Sequence, residues 1–269
     1  MTEAVDEVVP GKFLGEKLPN ITAYKGKLII ATNFYNQHSL SRYTRSMVDT
    51  AVALERTGVN WEFWPVHGDF HIERAVNTAC SRFLDDEEAT DLLIIDSDEC
   101  WDVVGVFRLL SCQEDVVSGA YRMKNNWEQY TCKLRYVDGK MQGKVLPDGT
   151  ALISAERITA GFMRLRKPPL WKYIEAYPEH SMDGGNKIYN FFHTAIRDGT
   201  FFSQDFNFSE KLRALGIPLW VDPNIDISHF GVAEYPGNLD KHLKRQKDDR
   251  KAQEAFAAVK QMAEEILAR

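Results

Sequence analysis

Three short apolar segments in the first half of the chain are each followed by a segment with helical periodicity. The apolar segments are Lys27–Thr32, Trp61–Val66 and Asp91–Asp96, and the periodic segments are Ser39–Thr57, His71–Leu84 and Val103–Leu110. This alternation predicts an α/β fold in which helices cover both faces of a largely parallel sheet. In such sheets ligands bind beyond the carboxyl ends of the strands, so we expect the functional residues there.

The second half of the chain has a less regular pattern. Residues 128–145 alternate loosely around a turn at Asp138 and Gly139, Asp205–Leu215 has helical periodicity, and Asp240–Ala268 predicts a long helix. We therefore expect three parts: an irregular arm over residues 1–26, one domain over residues 27–239, and a C-terminal helix over residues 240–269.

The composition restricts the class of protein. The 269 residues include 44% hydrophobic and 27% charged residues, with a formal net charge of −6, which is typical of a soluble globular chain. There is no apolar run of the roughly 18–20 residues that a membrane-spanning helix needs and no signal-peptide pattern at the start. The four cysteines form no CxxC pair that would indicate a zinc site. We expect a cytoplasmic protein, or one of the host cytoplasm if the source is a virus.

The segment LLIIDSDECWD gives the sharpest chemical signal. An apolar strand runs directly into Asp96 and Asp98, which are one residue apart. On a tight turn, two such carboxylates can bind one hard divalent cation, Mn²⁺ or Mg²⁺, which also binds diphosphates. The alternative is that both aspartates only cap the helix that follows the strand.

Two residues far along the chain fit the same chemistry. His229 follows a short strand in DISHFG, and an imidazole there could complete a manganese site or be purely structural. Asp205 begins a predicted helix in FFSQDF. It could act as a general base toward an acceptor hydroxyl, or it could only cap its helix.

Several motifs in order make the chain resemble the GT-A glycosyltransferases over roughly residues 27–231. The motifs are LIIATNFYN, IERAVNTACSRFL, LLIIDSDECWD, DVVSGAYRMK, ITAGFMRLRKPPLW and SQDFNFSEKLRALGIPLWVDPNIDISHFG. The resemblance implies a Rossmann-type mixed sheet flanked by helices and a metal-dependent transfer of a sugar from a nucleotide-sugar donor, with a UDP-sugar favoured. It also implies Mn²⁺ or Mg²⁺ as the cofactor.

The resemblance also implies a role for particular residues. Asp96 would meet the ribose and the metal, Asp98 and His229 would bind the metal, and Asp205 would be the catalytic acid/base. The side chains implied along the nucleotide are Asn33, Tyr35 and Arg74. Those implied near the sugar or phosphate are Arg122, Lys124 and Gly161, although a surface role is the ordinary one for Arg122 and Lys124. The chain departs from the family where Gln204 precedes Asp205, because the family often has glutamate there.

Two other functions remain open at this point. A haloacid-dehalogenase-like phosphatase also has a strand that ends in Asp-x-Asp, but normally on the first strand of its domain. A non-catalytic nucleotide-sugar binder could share the whole fold. The acceptor is also open among a glycan, a lipid-linked sugar, a protein and a hydroxylated base in viral DNA. The last would need a basic rim, for which the candidates are Arg164, Arg166, Lys167 and Lys172.

Overall fold

The computed structural model describes residues 12–13, 16–19, 21, 24–35, 37–67, 69–147, 149–231 and 233–267. Its elements up to residue 119 are β1 (Lys12–Phe13), β2 (Glu16–Lys17), β3 (Lys27–Phe34), α1 (Ser41–Thr57), β4 (Asn60–His67), α2 (Ile72–Asp85), β5 (Ala89–Ile95), β6 (Glu99–Trp101), α3 (Val103–Ser111) and β7 (Val116–Gly119).

The elements that follow are β8 (Lys133–Leu134), β9 (Tyr136–Val137), β10 (Lys140–Met141), β11 (Gly143–Val145), β12 (Ala151–Arg157), β13 (Phe162–Arg166), α4 (Lys167–Ala176), β14 (His180–Asp183), β15 (Asn186–Tyr189), β16 (Ala195–Arg197), β17 (Thr200–Phe202), α5 (Gln204–Ala214), β18 (Leu219–Asp222), β19 (Ile227–Phe230), β20 (Glu234–Gly237) and α6 (Leu239–Leu267).

The central sheet has the strand order β11-β12-β18-β7-β13-β5-β3-β4, with β8 also paired to β12. Strands β4, β3 and β5 are parallel, β18 is parallel to β7, and β13 runs antiparallel between β5 and β7. The predicted mixed sheet flanked by helices is therefore confirmed. Because β3, β4, β5, β7 and β18 point the same way, their carboxyl ends lie along one edge.

Alternation along the strands gives the sheet two buried faces. Leu28 and Ile30 of β3 belong to one apolar cluster, which also contains side chains of α1 and α3. Ile29 and Ala31 belong to the other, with side chains of α2, α4 and α5. Strand β5 is apolar at each position from Leu92 to Ile95 because both of its faces are covered, as expected for a central strand.

From residue 27 to residue 119 the predicted strands and helices match the observed ones within a few residues, except that the short strand β6 was not predicted. In the second half, strand β12 and the hairpins β14–β15 and β16–β17 were not predicted. Helix α4 was not predicted, because its first turn contains Pro168 and Pro169. Proline is compatible with the first turn of a helix, where its missing N–H group has no intrahelical partner. Residues 1–11 of the expected N-terminal arm lie outside the described residues. Among the described helices, none combines the length and apolar character that spanning a bilayer requires.

A second, smaller sheet lies beside the acidic turn. Its strand order is β20-β19-β6, and all pairs are antiparallel. Strand β6 follows the turn after β5, whereas β19 comes from far along the chain. This sheet therefore brings residues near 229 to the end of β5.

Candidate active site

The register between β6 and β19 brings His229 to the acidic turn. His229 pairs directly with Glu99, the residue after Asp98. The backbone N–H of Phe230 donates a hydrogen bond to the carbonyl oxygen of Asp98 at 2.8 Å. The N–H of Asp96 donates to the carbonyl oxygen of Gly161 at 2.9 Å. Backbone bonds from two distant segments thus hold the turn in place.

The imidazole of His229 has a fixed orientation. Its Nδ1 atom lies 2.9 Å from the carbonyl oxygen of Arg122, which can only accept, so Nδ1 donates. Its Nε2 atom then faces Oδ1 of Asp98 at 3.6 Å. The ring edge of Tyr121 packs on the imidazole, with 5.0 Å between the centroids. An imidazole that donates from one nitrogen to a carbonyl and presents the other to a carboxylate has the geometry of a metal ligand.

Helix capping does not account for the aspartates. The N-cap of α3 is Asp102, whose Oδ1 accepts a hydrogen bond from Val104 N at 2.8 Å. The N-cap of α5 is Ser203, and Asp205 lies in the first turn of that helix. Oδ1 of Asp205 instead faces the N–H of Ala160 at 3.4 Å, next to the glycine that holds Asp96. The capping alternative for Asp96, Asp98 and Asp205 is therefore wrong.

The acidic side chains differ in their protonation. Burial, together with the charges of Asp98 and Asp205, raises the pKa of Asp96 to about 7. Burial also raises the pKa of Asp205 to about 6. At Asp98 burial acts in the same direction, but the neighbouring His229 and Lys124 side chains bring the pKa below its ordinary value. Asp98 is therefore the most readily ionised of the three.

Two buried groups of this cluster, Glu99 and Tyr121, were not predicted from the sequence. A Cβ atom on Gly161 would meet the Tyr121 hydroxyl at 2.5 Å, Glu99 Oε1 at 2.6 Å and Asp96 Oδ2 at 2.7 Å. Glycine at 161 therefore lets these three oxygens approach the backbone closely. Glu99 is fully buried, and neither of its carboxylate oxygens has a hydrogen-bond partner among the described residues.

Burial raises the pKa of Glu99, and the charge of Asp96 adds to the effect. Burial raises the pKa of Tyr121 as well. Both residues stand inside the quoted motifs, LLIIDSDECWD and DVVSGAYRMK, so their positions were available in the sequence. Only the β6–β19 pairing and the approach of Gly161 reveal that they share the site.

Lys124 and Arg122 lie at the site in different ways. The ammonium group of Lys124 contacts Oδ2 of Asp98. Arg122 contributes its carbonyl oxygen to His229, while its guanidinium carbon lies 5.9 Å from the ring centroid of Tyr235.

The residues predicted along the nucleotide are less closely grouped. Asn33 lies near the end of β3, and its Oδ1 atom is buried with no partner among the described residues. Tyr35 is 55% exposed and packs edge-on against Phe70, with 5.3 Å between the centroids. Arg74 pairs with Asp69 at 2.8 Å and lines a separate cleft of about 490 Å³ that none of the site aspartates lines. The structure thus does not bring Arg74 together with the acidic cluster.

The side chains at the acidic turn are suited in part to binding a divalent cation. Among the described residues, no group of three or more His, Cys, Asp or Glu side chains is arranged to hold a metal ion. Asp98 and His229 nevertheless face each other across 3.6 Å. Magnesium-type sites commonly use only one or two protein carboxylates and take further oxygens from substrate phosphates. Asp98 and His229 therefore fit as the protein ligands of such a site.

Three of the four cations proposed for a basic rim, those of Arg164, Arg166 and Lys167, bond to groups of the protein itself. Arg164 is fully buried and pairs with Asp91 at 3.2 Å. Arg166 also pairs with Asp91 at 3.2 Å, and the ammonium group of Lys167 bonds the carbonyl oxygen of Asp86. Arg164 and Arg166 thus neutralise the carboxylate of Asp91 near the start of β5. Arg164 is therefore not available to a nucleic-acid surface, whereas Lys172 is exposed.

Comparisons with known proteins give weak structural likenesses. No family model and no curated protein sequence matches this chain. A crystal structure of A197 from STIV has a TM-score of 0.44 and 13% identity, over 76% of this chain and 86% of that one. The catalytic domain of Drosophila beta1,4-galactosyltransferase 7 in complex with xylobiose has 0.38 and 12%, over 74% and 66%. GalNAc-T7 with UDP, GalNAc and Mn²⁺ has 0.38 and 11%, over 76% of this chain and 43% of that one.

Proposed function

We propose that this chain is a glycosyltransferase that transfers a sugar from a nucleotide-sugar donor, with a UDP-sugar favoured, and that it uses Mn²⁺ or Mg²⁺. The observation that carries the proposal is the contact between Asp98 and His229. The two residues face each other at 3.6 Å although they are far apart in sequence, and the imidazole is oriented by the Arg122 carbonyl. The contact lies at the carboxyl end of β5, where ligands bind in sheets of this kind.

Asp98 and His229 would hold the cation. When bound, it would supply positive charge that balances the negative charge growing on the diphosphate leaving group. The contacts of Asp96 with the ribose and with the metal remain part of the proposal.

Asp205 is proposed as the acid/base residue. In the reaction, the bond between the sugar C1 atom and the donor phosphate oxygen breaks, and a bond forms between C1 and the acceptor oxygen. In an inverting transfer, the Asp205 carboxylate accepts the proton that the acceptor hydroxyl loses. In a retaining transfer, it positions the sugar. A pKa of about 6 suits a general base near neutral pH, because the base form predominates while it still binds a proton well.

The phosphatase alternative has less support. In that class of enzyme the acidic pair follows the first strand of the domain. In this chain the first strand of the central sheet, β3, ends at Phe34. The acidic pair follows β5 instead.

The test is a hydrolysis and transfer screen over nucleotide sugars with Mn²⁺, Mg²⁺ or EDTA. We expect release of the nucleoside diphosphate with a divalent cation and none with EDTA. Asp98→Ala and His229→Ala should both strongly lower the release of nucleoside diphosphate that depends on the divalent cation. A wild-type protein that hydrolyses phosphomonoesters and leaves every nucleotide sugar intact would refute the proposal in favour of a phosphatase. Binding of a nucleotide sugar without turnover, unchanged by Asp205→Asn, would identify a non-catalytic binder.

A further inference from the structure

The carboxylate of Asp98 faces a nitrogen atom on each of its two oxygens. The ammonium group of Lys124 contacts Oδ2, and the Nε2 atom of His229 lies 3.6 Å from Oδ1. Of these two neighbours, only the imidazole has a nitrogen lone pair that can bind a metal ion. The ammonium group is a cation, so it repels any second cation that approaches the same carboxylate.

The contact between Lys124 and Asp98 is accessible to solvent. The two side chains are 35% and 40% exposed. Exposed ion pairs of this kind contribute only about 0–1 kcal/mol, because water and salt screen the attraction. Another cation can therefore displace the ammonium group at little cost.

The side chain of Lys124 can move without changing the orientation of His229. The imidazole is held through the backbone carbonyl of Arg122, so departure of the lysine side chain leaves that hydrogen bond intact. The aliphatic stem of Lys124 lies over Gly231, where an added Cβ atom would be 3.1 Å from the lysine Cδ atom. The stem is thus seated on a glycine and not enclosed by side chains on that side.

We infer that Lys124 and the divalent cation compete for Asp98, and that the released lysine binds the diphosphate of the donor. The inference rests on the proposed function, because it assumes that Asp98 and His229 bind a metal ion. Lys124 then has opposite effects on two binding steps. It weakens binding of the metal ion alone, and it strengthens binding of the nucleoside diphosphate once the metal is present.

The test is isothermal titration of Lys124→Met and the wild type at low ionic strength, first with MnCl₂ alone and then with UDP at saturating Mn²⁺. We expect the Kd for Mn²⁺ to fall about threefold to fivefold in the variant, as loss of a competing exposed ion pair predicts. We expect the Kd for UDP to rise about fivefold or more. Both differences should shrink at high salt, because the contact is screened.

A matched control is Lys133→Met. Lys133 also forms an exposed ion pair, with Glu156 at 2.6 Å, but on β8. Both dissociation constants should stay at the wild-type values in this variant. A purely structural role of Lys124 would shift both constants in the same direction, so the opposite signs identify competition.

A second variant keeps the positive charge of Lys124 but shifts the position of its side chain. Gly231→Ala places a methyl group against the lysine stem, which must shift by a few tenths of an ångström. We expect a smaller fall in the Kd for Mn²⁺ than in Lys124→Met, with UDP binding nearly retained.

The outcomes separate this inference from the proposed function. Competition is refuted, while the metal site stands, if three results occur together. The wild type binds Mn²⁺, His229→Ala loses that binding, and Lys124→Met binds Mn²⁺ no more tightly than the wild type. If the wild type binds no Mn²⁺ with or without UDP, the inference and the metal-dependent mechanism are both wrong. A thermal melt of each variant confirms that it is folded.

Discussion

The two ends of strand β5 differ in how far neighbouring groups compensate the negative charge of buried carboxylates. At the start of the strand, Asp91 is buried and accepts hydrogen bonds from Tyr24 at 3.0 Å and Thr90 at 2.7 Å, with Arg164 and Arg166 each at 3.2 Å. Beyond the end of the strand, Asp96 has a pKa raised to about 7, chiefly by burial. Glu99 is buried with both carboxylate oxygens unpartnered among the described residues.

This difference separates a stabilising network from the proposed binding site. At the start of β5, cations and hydroxyl groups of the protein itself satisfy the carboxylate, so the network holds β5 to β13 and the N-terminal segment. At the end of β5, acids crowd together with one ammonium group nearby. Such an arrangement is costly to fold and persists where a ligand or a proton completes it.

The largest expected effect is on activity, at the carboxyl end. Asp98→Ala should lower metal-dependent donor hydrolysis by about 100- to 1,000-fold, on the order of 3–4 kcal/mol of transition-state stabilisation, because it removes a proposed metal ligand. Steady-state kinetics at saturating Mn²⁺ measure this. The nearby variant Asp102→Ala, which removes only a helix cap, should retain activity. Equal losses in both variants would argue against a special role of Asp98.

The next effect is on stability, at the opposite end. Arg164→Met should lower the free energy of unfolding by about 3 kcal/mol, because it leaves Asp91 buried with fewer cations. Urea denaturation measures the change. Lys241→Met is the control, since it breaks only an exposed pair with Asp226 and should change stability by less than about 0.5 kcal/mol. A stable Arg164→Met protein would show that Arg166 and the hydroxyl groups suffice for Asp91.

The third effect depends on pH. Burial raises the pKa of Asp205 from 3.8 to about 6, so the folded protein keeps this proton where the unfolded chain has lost it. The resulting loss of stability is absent below about pH 4 and complete above about pH 6. Asp205→Asn should therefore be more stable than the wild type at pH 7, by on the order of 2–3 kcal/mol, and equal to it near pH 3.5. Unfolding curves across this range measure the difference, and a constant gap would contradict the pKa shift.

The raised pKa of Asp205 also predicts the pH profile of the reaction. If Asp205 is the base, kcat should fall as the pH drops through about 6, because the carboxylate becomes protonated. A rate that stays constant down to pH 4.5 would exclude this role.

The smallest effect concerns helix α3. Asp102→Ala removes the N-cap hydrogen bond to Val104 and should lower stability by about 1 kcal/mol. Asp98→Ala should not lower stability in this way, because Asp98 caps no helix. The pair of variants distinguishes an aspartate that stabilises a helix from one that serves the site, only a few residues apart. A stability loss in Asp98→Ala equal to that of Asp102→Ala would remove the distinction.

Much of the fold was predictable because it follows from local patterns. The strands near Leu28, Trp61 and Leu92 and the helices between them repeat with regular periods, and Asp96 and Asp98 directly follow the most apolar strand. The antiparallel position of β13 between β5 and β7 was not predictable, because strand order depends on contacts between distant segments. Helix α4 was missed because its prolines give no sign of whether a helix begins or a loop continues.

The sequence by itself determined where the main strands end and which side chains near those ends are capable of metal or acid/base chemistry, because side-chain type and periodicity are local properties. Only the tertiary structure decided which of them meet. The pairing of β6 with β19 puts His229 opposite Glu99 and against Asp98. The insertion of β13 between β5 and β7 makes Arg164, a surface candidate in the sequence, a buried partner of Asp91. The physical reason is that a carboxylate's role depends on the charges and water around it, and those come from segments of the chain that are far apart in sequence.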